Sequence, residues 1–278
     1  LKAYHEQRYY EGGLPISTMQ LHDFSFLAHW HQDVELIYIT TGRVRVGINS
    51  ESWLLQAGDL AICSSGDIHY YDSSGQESAM LLVIFNPKTI GAPGGWPDHL
   101  RLLSPYVGNA GHPDTNGGWL ANQAAELMHQ MHQEERDKSA HYQNIMLGLL
   151  YQLNGLILRH VPSEPLTSLQ GHRFSGSRQA MREALDYLEK HWSRPITLEE
   201  AARQAHMSVY HFSRTFKSTT GMSLPSYLNS IRVDRAEELI RTSDQTMLDI
   251  ALECGFTNVR TFNRAFRQLR GCAPSSLR

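Results

Sequence analysis

The sequence predicts an α+β chain of two domains: a small antiparallel β-barrel with two helices, followed by an all-α domain carrying two helix-turn-helix motifs joined by a linker helix. Three observations predict it. Short β-type runs separated by turn residues fill Phe24 to Phe85. A Pro/Ser/Gly-rich stretch, Val161 to Gly176, interrupts the chain. Beyond it a helix-turn-helix pattern occurs twice, at an offset of 50 residues.

Length and composition set the bounds. At 278 residues the chain can bury two cores. The longest apolar run, Ala79 to Phe85, is far too short for a membrane span, and no signal peptide is recognisable, so a cytoplasmic protein is expected. Cys63, Cys254 and Cys272 show no metal-type spacing, as expected of reduced thiols. Charge is uneven. Residues 1–178 hold 11 Lys/Arg against 17 Asp/Glu, whereas residues 179–278 hold 14 against 11. An acidic body joined to a basic tail suits a sensor attached to a DNA reader.

From the N-terminus, residues 1–20 read as an arm plus a first strand. Strands are expected at Phe24–His29, Glu35–Thr40, Val44–Ile48, Ser52–Leu55, Leu60–Ile62 and Met80–Phe85. The turns fall at Thr41-Gly42, Asn49-Ser50, Ala57-Gly58-Asp59, Ser64-Ser65-Gly66-Asp67 and Ser73-Ser74-Gly75. Six short strands at this spacing indicate a small barrel or jelly roll. Residues 86–118 read as a long irregular connection, and helices follow at Trp119–Asp137 and Tyr142–His160. The second helix is apolar over more of its circumference than packing on one barrel requires, which makes the pair a candidate homodimer seam. The predicted division is 1–160, a linker at 161–176, and 177–278, with a helix from Ser177 to His191.

In the last hundred residues Thr197 caps a helix, with Glu200 placed to close a capping box. Leu198, Ala201, Ala202 and Ala205 give its apolar stripe. Ser208 caps the next helix, which buries Val209, Phe212 and Phe216 and leaves Tyr210, His211, Ser213, Arg214 and Lys217 outside. The second copy matches Leu198 with Leu248, Ala201 with Ala251, Ser208 with Asn258, Phe212 with Phe262 and Arg214 with Arg264, and sets Gly255 where Ala205 stands. Between the copies a helix from Leu224 to Arg241 would span roughly 27 Å, a suitable rod for two motifs about 34 Å apart, one DNA turn.

Two resemblances follow from these residues. His29-Trp30-His31-x3-Glu35-x6-Gly42, then Gly58-x7-Gly66-x2-His69, resembles the two motifs of the cupin fold, in whose metal-binding members the corresponding histidines and glutamate hold one ion. His29, His31, Glu35 and His69 would suit Zn, Fe, Mn or Ni. Ser64 stands where the second motif usually has proline, and no asparagine follows His69 at the usual distance; these departures favour a small-molecule effector over a metal cofactor. Trp30, Tyr38 and Tyr70 are candidates to stack on such an effector if they turn inward. The stretch Ile250-Ala251-x3-Gly255-Phe256-x5-Phe262-x-Arg264-x-Phe266-Arg267-x3-Gly271-x2-Pro274-x3-Arg278 resembles the DNA-binding domain of the AraC/XylS family of bacterial transcription regulators, with Leu277 where an aromatic is usual.

The AraC/XylS resemblance implies a sequence-specific regulator of transcription, an activator by family habit. It also implies a homodimer that contacts RNA polymerase and answers to a small molecule, such as a sugar, in the barrel. Each recognition helix would enter a major groove of double-stranded DNA. Tyr210, Ser213 and Arg214 would read bases in the first, with His211 and Lys217 nearer phosphate; Val259, Arg260, Asn263 and Arg264 would read in the second, with Arg267 beside them. Arg suits guanine, Asn adenine, and Val a thymine methyl. Arg214 and Arg264 are open to a second reading as phosphate clamps. Two other functions stand beside this one: a cupin metalloenzyme with a DNA-binding tail, and an architectural DNA-binding protein whose barrel only dimerises.

Overall fold

The computed structural model describes residues 10, 13–73, 77–91, 95–97, 100–108, 117–165 and 168–278, leaving aside the side chains of 168–175. The arm at 1–9, the Ser74-Gly75 turn and residues 109–116 of the connection lie outside the described residues. The chain divides between Gly176 and Ser177 into two compact units.

The first unit holds strands β1 (Ile16–His22), β2 (Phe26–His29), β3 (Val34–Thr41), β4 (Arg43–Ile48), β5 (Glu51–Gln56), β6 (Leu60–Cys63), β7 (His69–Asp72) and β8 (Ala79–Phe85), with the short β9 (Leu100–Leu102), β10 (Tyr106–Val107) and β11 (Ser163–Pro165). Two antiparallel sheets, ordered β1-β8-β3-β6-β10 and β2-β7-β4-β5, face one another. Alternation along each strand sorts their side chains. Ile37, Ile39, Val44, Val46, Ile48, Leu82 and Ile84 fill the space between the sheets. Leu36, Val83 and Phe85 point the other way, into a second core made with helices α1 (Gly117–Asp137) and α2 (Tyr142–His160). Glu135 of α1 accepts from the backbone N–H and hydroxyl of Thr18 on β1, which fixes the helix to that sheet.

Two sequence expectations change here. The irregular connection contributes β9 and β10, and β9 pairs with β11 from the expected linker. The helix expected from Ser177 starts at Ser168, so α3 (Ser168–His191) takes up much of the rest of that linker. Pro162 and Pro165 precede the helix, where they do no harm, and Gly171 and Gly176 each cost only about 1 kcal/mol within it. On α2, Leu153 is fully buried, and the face left to solvent is carried by Ile145 and Tyr151.

The second unit continues with α4 (Leu198–Gln204), α5 (Val209–Thr220), α6 (Leu224–Thr242), α7 (Met247–Glu253) and α8 (Val259–Arg270). Each short helix starts at a side-chain cap: Thr197, Ser208, Thr246 and Asn258 accept from the backbone N–H three residues on. The uniform offset of 50 does not survive. The caps of α4 and α7 lie 49 apart, Thr197 against Thr246, while those of α5 and α8 lie 50 apart, because the second turn holds one more residue, Thr257. Buried Ala202 therefore answers to buried Ala251, and Leu248 answers to Glu199 and is half exposed. Gly255 stands where His206 stands, both with positive φ (78° and 51°), rather than where Ala205 stands. Val209, expected inside, is exposed at the start of α5.

Candidate metal centre and nucleic-acid interface

In the barrel, His29 ends β2, His31 follows it, Glu35 lies on β3 and His69 opens β7. Every one of the four is at most 2% exposed, and one donor atom from each lies within 4.8 Å of the others. The backbone decides how the rings present themselves. Nδ1 of His29 lies 3.0 Å from the Leu27 carbonyl, Nδ1 of His31 3.0 Å from that of Asp33, and Nδ1 of His69 3.0 Å from that of Asp67. A carbonyl only accepts, so each Nδ1 carries a proton and each Nε2 is left for the centre. There the Glu35 carboxylate stands 3.1 Å from Nε2 of His31 and 3.4 Å from Nε2 of His69.

Electrostatics follow from this crowding. Burial alone would raise the Glu35 carboxyl, but His69 and His31 opposite it hold it well below the usual carboxylate range. Burial lowers His69, and Glu35 more than offsets this, so His69 is raised. Burial and the neighbouring His69 hold His29 well below the ordinary imidazole value. Nε2 of His29 thus keeps a buried lone pair with no hydrogen-bond partner, a group that costs about 1–3 kcal/mol when left unsatisfied. A divalent cation would satisfy all four groups at once, and Nδ1 donation to carbonyls is the outer support metal-bound imidazoles use. These residues fit such an ion, despite the sequence departures at Ser64 and after His69.

The stacking candidates fare differently. Tyr38 turns away from the cluster, packing in the helix-side core and edge-on to His129. Tyr70 lies over Gly47, where a Cβ would come within 2.0 Å of its ring. Both sit one residue out of phase with the inward positions, which is the reason. Trp30, between two inward histidines, is half-buried. The rings near the site are Phe24, Phe26 and Tyr71: Phe26 meets His29 edge-on at 4.4 Å and stacks on Tyr71 at 6.0 Å. Sequence reading missed them, although Tyr71 stands two residues after His69 and so shares its face.

In the second unit α5 exposes Tyr210, His211, Ser213, Arg214 and Lys217 on one side and buries Phe212 and Phe216 on the other. Tyr210 is 73% exposed, and Arg214 lies over its ring at 5.8 Å. On α8, Arg260, Arg264 and Arg267 are exposed, Asn263 is half-buried, and Val259 packs partly against the core of Phe262 and Phe266. Arg270, the last residue of α8, turns away to Asp234 and Glu237 of α6 and is structural. The outward faces offer guanidinium, amide, hydroxyl and phenol groups on helices that begin with capped N-termini, the chemistry that base edges and phosphates require.

Known proteins give the same two parts. The family described as "Helix-turn-helix domain" matches residues 201–278, and the one described as "Cupin domain" matches 15–85. The HTH-type transcriptional activator RhaR of Pectobacterium carotovorum subsp. carotovorum (strain PC1) is 30% identical over 261 residues, 91% of this chain and 86% of that protein. The HTH-type transcriptional activator RhaS of Klebsiella pneumoniae (strain 342) is 23% identical over 287 residues, 99% of this chain and 96% of its own. The DNA-binding domain of AdpA, solved in complex with a target DNA, is 30% identical over 35% of this chain and 87% of that one, with a TM-score of 0.34. A two-copy helix-turn-helix unit behind a cupin barrel, matched along nearly the whole chain by such regulators, places this protein in the AraC/XylS family of DNA-binding transcription regulators.

Proposed function

We propose that residues 177–278 read DNA through α5 and α8, and that residues 1–160 are the sensor and dimerisation domain that governs this reading. The named relatives are activators, which supports an activating role exercised through RNA polymerase. The observation that carries the sensor reading is the buried cluster of His29, His31, Glu35 and His69, a concentration of ionisable side chains against a core of aliphatic and aromatic residues. The four residues would hold a divalent ion, which would supply Lewis-acid attachment for the oxygens of a small effector such as a sugar. Phe26 and Tyr71 lie beside it to shape what binds.

Metal analysis of protein purified without an affinity tag tests the ion: about one equivalent of Zn, Fe, Mn or Ni is expected, lost in His31→Ala. A thermal-shift screen of sugars and small acids, run with and without a chelator, tests the effector. A ligand at about 100 times its Kd adds about 2.7 kcal/mol. Stabilisation that persists in metal-free protein leaves the effector and removes the ion; substrate turnover by the loaded protein favours the metalloenzyme. For the dimer, Ile145, 46% exposed on α2, is the position to charge. Ile145→Asp should give a folded monomer by sedimentation, and a dimer that survives it moves the seam elsewhere.

A further inference from the structure

The two helix-turn-helix units are joined by more than the α6 rod. Between α3 and α4 the backbone of Trp192, Ser193 and Arg194 runs against the second helix-turn-helix motif. Trp192 packs on the core of Phe256, Phe262 and Phe266. The turn at Gly255 approaches so closely that a Cβ there would lie 2.6 Å from the Ser193 carbonyl oxygen and 3.1 Å from Nε of Arg232. Arg232, on α6, closes the junction. Its Nε donates to the Trp192 carbonyl at 2.8 Å and its terminal nitrogen to the Arg194 carbonyl at 2.8 Å. Its guanidinium lies over the Phe256 ring at 5.9 Å. The side chain of Arg194 continues the path, bonding Glu200 of α4 at 2.7 Å. One chain of contacts therefore runs from α4 through Arg194 and Arg232 to the turn before α8.

From this we infer that Arg232 is a positioning residue for DNA reading: it never touches DNA, and it holds α5 and α8 at one spacing so that two short recognition elements act as a single reader. A guanidinium is required because its planar fork can serve two carbonyls at once and still lie on a ring. The role rests on the DNA-reading assignment of α5 and α8.

The test uses the full chain and a duplex pool randomised over roughly 21 base pairs, two helical turns. Wild type should select two sequence blocks at one fixed separation; failure to select any paired blocks removes the reading assignment itself. Arg232→Met keeps the stem on Phe256 and loses the fork, and Arg232→Lys keeps charge but can serve a single carbonyl well. Either variant should select the same two blocks over a spread of separations. On duplexes made from the selected sequence, the penalty for inserting one base pair between the blocks should fall by about tenfold relative to wild type. Thermal melting shows which variant is folded, and Arg232→Lys decides the matter where Arg232→Met is not. A folded variant that keeps the single separation and the full penalty overturns the inference. So does one that loses the blocks themselves.

Discussion

The two helix-turn-helix units share a plan and differ in what surrounds it. Both begin at a threonine cap, turn through a residue of positive φ and restart at a polar cap. In the first, the turn residue is His206, whose side chain is 83% exposed, with the Glu183 carboxylate 4.0 Å from its Nε2. In the second it is Gly255, with the Ser193 backbone lying where a side chain would be. Backbone conformation alone does not therefore explain the glycine, since histidine takes the same region in the first copy; the close approach of a neighbouring chain segment does. The outward faces differ as well. α8 presents three exposed arginines, whereas α5 presents Arg214 and Lys217 with an aromatic and two polar neighbours.

The sharpest break in this comparison is Gly255→Ala. It should destabilise by about 2–5 kcal/mol, from the left-handed conformation and the backbone overlap together. His206→Ala meets no overlap and keeps the strain already present. Thermal unfolding of the pair decides; equal melting temperatures would show that the Ser193 contact is unimportant. Next in size, Arg264→Ala and Arg214→Ala should each weaken binding to a selected operator by about 1–3 kcal/mol and relax one base position if they read guanine. Uniform weakening across sequences, at matched salt, would make either one a phosphate clamp. Lys217→Ala and Arg267→Ala should weaken binding without changing preference and lower the salt slope by about 1 each. Smallest are the caps. Ser208→Ala and Asn258→Ala should each cost about 1 kcal/mol of stability, similar in the two copies because each cap serves one backbone N–H.

Much of the architecture was readable beforehand. The six strands named from turn residues all exist, because a Gly or Asp turn between β-branched runs is a local decision. β7 escaped because His69 to Asp72 is four residues long, and all but the last are buried, so no alternation marks it. β9 and β11 escaped for another reason: each is three residues long and pairs with the other across 60 residues of chain. The one-residue difference between the two turns was invisible because Leu248 and Ala251 match the first copy in type at the wrong register. The cap at Thr246 and the burial of Ile250 and Ala251 reveal the frame.

The barrel site shows the same division. The identity of its four polar residues could be taken from the resemblance to the two cupin motifs. Whether they meet and which aromatics stand beside them depended on strands that pair across the fold, whereas carbonyls two residues away orient the rings. The sequence by itself determined the two domains, the doubled motif and the polar and basic residues on its outward faces, because caps, turns and helical periodicity act over a few residues. The tertiary structure alone decided that the three histidines meet around Glu35, that Tyr71 stands beside them, and that Arg232 joins the two helix-turn-helix motifs. Each of these is set by a backbone carbonyl or a neighbouring strand distant in sequence, where local patterning carries no information.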